Sequence, residues 1–469
     1  MTSAAKALPA VLAHIDADLD NSLNRLFDLV RIPSISTDSA FKDSCKAAAD
    51  FVAKDLESLG FDATVRPTAG HPVVTATSNG ATAPNNGPRV LFYGHYDVQP
   101  VDPLNLWSTP PFEPKVGSLP DGRKIILGRG ACDDKGQFMT FVEACRAFKA
   151  VTGKLPLDIT MMIEGEEECG SKSLFDFVRT NANEFKRDLA LICDTGMWDT
   201  KTPLVTTSLR GLLYEEVTIT CADRDLHSGL FGGAAANPIR ILSRVLASLH
   251  DANGRVTVPG YYDGVKDLPA DIKAELKGLN LTAEQFLGQV GLKVPAGEKD
   301  RMLIEQISTR PTCDVNGIIG GYTGEGAKTV IAAHATAKVS FRLVGDQNPE
   351  TVRAVFRAFV RERLPADCTA EFTPHAGSPA LNVKFDTPWL ARARRALADE
   401  WQKEPVLVGG GGSIPVMGDV RDILGLEPLM IGFALEDDRI HSPNEKYDLS
   451  SFHGGIRSWA RILAAFAKA

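Results

Sequence analysis

At 469 residues the chain exceeds what one ordinary hydrophobic core organises, so two domains, or one domain interrupted by another, are expected. Its 44% apolar and 23% charged residues are those of a globular protein and exclude extensive disorder. A net charge of −8 gives nucleic acid no electrostatic footing, and no apolar stretch approaches the ~20 residues that span a bilayer.

The amino-terminal stretch carries Asp16, Asp18 and Asp20 where a signal peptide would continue its apolar core. Leu19, Leu23, Leu26, Phe27 and Val30 fall at helical spacing instead, which predicts an amphipathic helix. The eight cysteines show no paired spacing, as expected of reduced thiols in a cytoplasmic protein. RVLFYGHYDV (89–98), LDITMMIEG (157–165) and DLALICDTG (188–196) read as strands, and 45–59 and 134–150 as helices. This alternation predicts an α/β domain whose mixed, largely parallel sheet is flanked by helices.

Past Ser208 the texture changes. Strand 212–221, helix 237–251, two strands within 328–345, helix 349–364 and strand 368–374 give the order β-α-β-β-α-β, a split ferredoxin-like α+β pattern. A polar, mostly helical insertion at 255–310 interrupts it. After 385 the first texture returns, with a helix at 389–401, the run GGGGSIP (409–415), a strand at 426–433 and a final helix. The expected organisation is a discontinuous α/β domain (1–209 and 385–469) with a smaller α+β domain (210–384) inserted in it.

The carboxyl ends of the first domain's strands carry the chemistry. VLFYG ends at His95 with Asp97 two residues on; ITMMI opens into Glu164, Glu166, Glu167 and Glu168; LALIC ends at Asp194. GRGACDDKG places Asp133 and Asp134 before a helix, and the loop after MIGF holds His441. Ligands of open α/β sheets bind outside the carboxyl ends of the strands. Two imidazoles among several carboxylates suit zinc or a similar divalent ion, and the surplus of acids points to two ions sharing a bridging carboxylate. Each block alone has an ordinary explanation, a satisfied core histidine or a solvated acidic turn.

GHYDVQP (94–100), GRGACDDKG (128–136), EGEEECGS (164–171), ICDTG (192–196) and IHSPNEKYD (440–448) together resemble the metal-binding blocks of the M20 metallopeptidase family, in its order and over nearly the whole chain. Carnosinase-type dipeptidases, carboxypeptidase G2-like enzymes and aminoacyl deacylases are members. The resemblance implies a dinuclear zinc hydrolase, with manganese or cobalt as substitutes. His95, Asp133 and Asp194 would form one metal site, and Asp133, Glu168 and His441 the other. Asp97 would orient the His95 ring, and Glu167 would be the general base. A one-residue slip of register would exchange Asp133 with Asp134, or Glu167 with Glu166. Glu164 and Glu166 are left to outer or solvated roles.

In the inserted domain, DRDLHSGLFGG resembles the family's lid segment, which implies that His227, from the partner subunit in dimeric members, steadies the oxyanion. Arg342 resembles the arginine that grips a substrate carboxylate. Asn316, His334 and Ser413 are further substrate-binding candidates. Relatives of the dipeptidase type carry an acid where this chain has Gly410. Its loss weakens recognition of a free amine and leaves room for a longer or acylated amino-terminal side. Cys132, Cys169 and Cys193 adjoin proposed ligands and are read as small packing residues.

The expected activity is hydrolysis of dipeptides or similar small carboxylates by a homodimer, with N-acyl amino acid deacylation as the alternative. A non-catalytic protein of the same fold would show erosion of the ligand set or the base, and none is seen. Nucleotide binding at GGGG is excluded because no Gly-Lys-Ser/Thr follows.

Overall fold

The computed structural model describes residues 3–78, 87–412 and 414–467. The chain divides into two compact units, one of 1–207, 383–408 and 419–469, the other of 208–382 and 409–418.

The first unit is built on a twisted mixed sheet. Its strands run Asp62–Arg66, Val73–Thr77, Ile159–Glu164, Val90–His95, Leu189–Ile192, Glu427–Met430 and then Leu204–Leu209. The strands from Ile159–Glu164 to Glu427–Met430 are mutually parallel, Val73–Thr77 and Leu204–Leu209 on either side run antiparallel to them, and Asp62–Arg66 runs antiparallel to Val73–Thr77. Val90–His95 and Ile159–Glu164 are buried at every position, the pattern of strands covered on both faces. Helices Lys135–Thr152 and Leu449–Phe466 pack together. Phe141 stacks on Phe92 of the sheet at 3.9 Å between ring centroids, and Trp459 meets both rings edge-on.

The amino-terminal segment forms two helices, Ser3–Ala17 and Leu19–Val30, instead of one. Asp18 sits at the break with φ −101° and ψ 10°. Its carboxylate is taken by Asn21 at 2.5 Å and Arg25 at 2.8 Å. Arg25 also forks onto Glu143 of helix Lys135–Thr152, at 2.8 and 2.6 Å. A small antiparallel sheet of Lys446–Asp448, Lys124–Leu127 and Lys115–Ser118, which the sequence pattern does not announce, positions the His441 loop.

The second unit holds a four-stranded antiparallel sheet in the order Thr312–Gly320, His334–Leu343, Gly211–Thr220, Thr369–Ser378. Helices Pro238–Ala247 and Pro349–Arg361 share its core with Leu213, Val217, Ile219, Val339 and Phe341. The order is that of a split β-α-β-β-α-β unit, with one strand differently placed. Thr312–Gly320 supplies the second strand of the sheet, whereas Val330–Ile331, expected to do so, pairs with Leu226–His227. Thr312–Gly320 escapes the pattern because it is an edge strand whose Val315, Ile318 and Ile319 are exposed. The insertion contributes the short helices Ala270–Gly278, Ala283–Leu287 and Leu303–Ser308. Among the described residues no helix is long and apolar enough to cross a membrane.

Candidate metal centre

Three strands of the first unit and two loops bring their polar ends together. His95 closes its strand fully buried, and its backbone N–H donates to Asp134 Oδ2 at 3.1 Å. Its Nδ1 lies 3.2 Å from Asp97 Oδ1, and its Nε2 3.2 Å from Asp133 Oδ1 and 4.0 Å from Asp194 Oδ2. Across Asp133, Oδ2 is 2.9 Å from His441 Nε2, which is itself 3.2 Å from Glu168 Oε2. Ligand atoms of His95, Asp133 and Asp194 thus lie within 4.8 Å of one another, as do those of Asp133, Glu168 and His441. Asp133, not Asp134, is common to both groups.

The turn Glu167–Cys169 follows strand Ile159–Glu164 and is closed by Gly170 at φ 93°. Glu168 N donates to Asp97 Oδ2 at 3.1 Å and Gln99 donates to Glu168 Oε2 at 2.6 Å; with its backbone carbonyl 3.1 Å from His95 Nδ1, Asp97 holds both the His95 ring and the Glu168 backbone. The loop carrying Asp133 runs close to the next helix, where a Cβ on Gly136 would fall 1.8 Å from Ala131 O. Only glycine fits there.

Glu164 and Glu166 are not solvated. Glu164 is fully buried and accepts hydrogen bonds from Tyr93 at 2.6 Å and Ser171 at 2.9 Å, and burial pushes its carboxyl up to about 8. Glu166 accepts from Ser173 N at 3.0 Å, and its carboxylate fills the space where a side chain on Gly70 would stand. Both acids brace the turn that presents Glu167 and Glu168. Cys132 and Cys193 are buried, against Asp438 and against Trp459 and Gln137 respectively, whereas Cys169, at the end of the turn, is exposed and is no packing residue.

The electrostatics describe acids crowded beyond what two imidazoles neutralise. Burial works against charge on His95, but the hydrogen bonds to Asp133 and Asp97 outweigh it and raise its pKa well above the usual value. Burial likewise opposes charge on Asp133, yet His441 and His95 hold it low. Hydrogen bonds to Asp133 and Glu168 lift His441 to about 10. Glu167 is pushed up to about 8, first by burial and then by the charges of Glu168 and Asp133. Burial and the charge of Asp133 raise Asp194 and Glu168 as well. Buried carboxyls kept from ionising for want of positive charge, grouped with imidazoles around one shared carboxylate, fit two divalent cations.

Sequence reasoning missed Glu445. Fully buried, it accepts four hydrogen bonds from the loop bearing Asp133: Arg129 Nη1 at 2.7 Å and Gly130 N at 3.0 Å on Oε2, Cys132 N at 2.9 Å and Asp133 N at 3.1 Å on Oε1. Its place in IHSPNEKYD marks it only as a polar loop residue.

The remaining candidates lie in the second unit. His227 is exposed, and its Nδ1 accepts from Gly229 N at 3.0 Å, which in the neutral ring leaves the proton on Nε2. His334 and Arg342 occupy one strand eight residues apart, so about 27 Å separates them at ~3.4 Å per residue, and one small substrate does not meet both in one copy. Asn316 is exposed at a bulge between Val315 and Gly317. Ser413 lies outside the described residues. At the Arg342 end, half-buried Arg210 donates from Nε to Gly411 O at 3.1 Å. Arg342 lies opposite Leu212, two residues beyond Arg210, and burial and then the Arg342 charge lower the Arg210 pKa.

Comparison with known proteins agrees with this geometry. The profile of Peptidase family M20/M25/M40 matches residues 91–465. The chain is 30% identical over 479 aligned residues to the Cys-Gly metallodipeptidase DUG1 of Saccharomyces cerevisiae, spanning 98% of each. It is 31% identical over 386 residues to the Beta-Ala-His dipeptidase of Homo sapiens, 81% of this chain and 75% of that protein. The solved structure of the M20 family metallo-carboxypeptidase Sso-CP2 from Sulfolobus solfataricus matches with a TM-score of 0.80 at 28% identity, covering 95% of this chain and 99% of that one.

Proposed function

The chain belongs to peptidase family M20/M25/M40, and we propose that within it the chain is a metal-dependent dipeptidase, cleaving the amide bond of small peptides that end in a free carboxylate. The observation that carries this reading is the pair of ligand groups built on one carboxylate, Asp133, beside the half-buried Glu167. His95, Asp133 and Asp194 would hold one divalent ion, and Asp133, Glu168 and His441 the other. The mixed imidazole and carboxylate donors favour zinc, with manganese or cobalt able to replace it. Bound there, the ions supply Lewis acidity for the scissile carbonyl and acidify water near neutral pH.

The protein's own groups do the rest. The backbone carbonyl of Asp97 takes the Nδ1 proton of His95 at 3.1 Å, with the Asp97 carboxylate 3.2 Å away, which turns the Nε2 lone pair toward Asp133 and its neighbours. Glu167 takes a proton from the attacking water and returns it to the departing amine. His227 offers an Nε2–H to the developing oxyanion, and Arg342, with Arg210 beside it, receives the substrate carboxylate.

A homodimer is part of the proposal. His227 pairs with Val330 at the His334 end of the sheet, and Arg342 stands at the opposite end. A single active site using both draws them most simply from two copies. The exposed Val315, Ile318 and Ile319 on edge strand Thr312–Gly320, with Leu230 and Phe231 after His227, offer an apolar surface for the second copy. The eight free thiols support a reducing, cytoplasmic setting.

Gly410 favours a second reading in which longer amino-terminal sides are accepted, as the name of the metallo-carboxypeptidase relative suggests. The deacylase alternative is not favoured, since the relatives compared are named as dipeptidases and a carboxypeptidase. A panel of unblocked dipeptides, tri- and tetrapeptides and N-acyl amino acids, each with the metal-loaded protein, separates these readings. Preferred cleavage of dipeptides supports the proposal; cleavage confined to acylated substrates overturns it.

A further inference from the structure

The strands Gly211–Thr220 and Thr369–Ser378 are antiparallel neighbours, with Thr220 opposite Thr369. Continuing that register by one residue sets Cys221 opposite Cys368. Their sulfurs lie 3.1 Å apart, Cys221 half-buried and Cys368 buried. Cys221 gives its N–H to Ala333 O at 2.9 Å, on the side away from Cys368, and Cys368 gives its own to Pro365 O at 3.1 Å. The two residues therefore face each other as a non-hydrogen-bonded pair, the type with the shorter Cα separation of about 4.5 Å and the closer side chains. That separation falls within the range a disulfide spans.

We propose that Cys221 and Cys368 form a redox-responsive cross-strand staple, closed by exchange with a low-molecular-weight disulfide. The Cys221 thiolate attacks one sulfur of the small disulfide, forming a mixed disulfide and expelling one small thiolate. The Cys368 thiolate then attacks the Cys221 sulfur and expels the second. Two protein thiols are oxidised by two electrons, the small disulfide is reduced to two thiols, and the two protein protons pass to the expelled thiolates.

Cys221 is the entry point because it is the more exposed of the two. Burial and the neighbouring Cys368 push its thiol up to about 12, so exchange is slow at neutral pH and the pair stays reduced in a reducing compartment. Once formed, the bond would tie the edge strand Thr369–Ser378 to the neighbouring strand Gly211–Thr220. It joins residues 147 apart in sequence, which strongly constrains the unfolded chain. It also sits at the root of the segment that leads from Cys221 to His227.

The test uses the full-length, metal-loaded protein equilibrated with mixtures of oxidised and reduced glutathione. It is read by intact mass, non-reducing peptide mapping and melting, none of which depends on the dipeptidase reading. The expected result is a linked Cys221–Cys368 peptide, a mass lower by two hydrogens, and a transition about 5–10 °C higher that dithiothreitol reverses. Cys368→Ser should trap a glutathione adduct on Cys221 and show no such rise. Exposed Cys169 serves as the internal control for oxidant reaching the protein. Adducts on Cys169 without linkage of Cys221 to Cys368, or a stable glutathione adduct on Cys221 in the unsubstituted protein, would overturn the proposal.

Discussion

Replacing Glu445 with glutamine removes one oxygen and the charge from a side chain that receives four hydrogen bonds in full burial. Whichever way the amide turns, its NH2 faces two donors: Cys132 and Asp133 N–H in one orientation, Arg129 and Gly130 N–H in the other. Arg129, itself buried over Trp107, also loses its carboxylate partner. Two unmet buried donors and one unpaired buried charge together cost about 3–5 kcal/mol of stability. Because Glu445 holds the backbone N–H of Asp133, metal affinity should fall as well, by about 10- to 100-fold as for other partners that orient ligands. Thermal unfolding of the chelated protein reads the first effect, and zinc competition against a chromophoric chelator reads the second. Glu445→Gln with unchanged unfolding and unchanged zinc affinity would refute the idea that this carboxylate holds the Asp133 loop.

Glu167→Gln should keep both metal ions, measured by elemental analysis, while peptide hydrolysis drops by about 10²- to 10⁴-fold; loss of metal would make Glu167 a ligand instead of a base. In the chelated protein, His441 has its pKa raised to about 10 by Asp133 and Glu168. Its contribution to folding is therefore complete below about 6.5 and disappears as pH rises through about 10. The melting temperature of chelated protein should fall over that interval, and His441→Ala should flatten the slope. Mixing inactive His227→Ala and Arg342→Ala chains should restore about a quarter of wild-type activity if each active site draws His227 from one copy and Arg342 from the other. Activity that stays absent after verified subunit exchange counts against the shared site.

Three of the ligand-bearing segments were legible because each follows an unbroken apolar run, whereas Asp133 and His441 sit in loops. VLFYG, ITMMI and LALIC can only be buried strands, and a histidine or acid at their ends is conspicuous. Legibility failed where the signal was spread through contacts. Thr312–Gly320 is polar and glycine-containing, with its apolar residues facing outward, so neither composition nor alternation marks a strand. Val406–Gly410 was hidden by its glycines. Asp18 ends a helix through side-chain partners seven residues or fewer away, inside what reads as continuous periodicity. Glu164 and Glu166 look like surplus surface acids in EGEEECGS, and only Tyr93, Ser171, Ser173 and Gly70 reveal them as buried braces. Glu445 and Arg210 depend on partners far away in sequence, which no local pattern records.

The most direct test of the central claim is dipeptide hydrolysis by the chelated protein as zinc is returned stepwise. Activity that is absent without metal and reaches its plateau at two ions per chain is the predicted result. Hydrolysis indifferent to chelation, or none with two ions bound, would contradict a dinuclear dipeptidase built on Asp133.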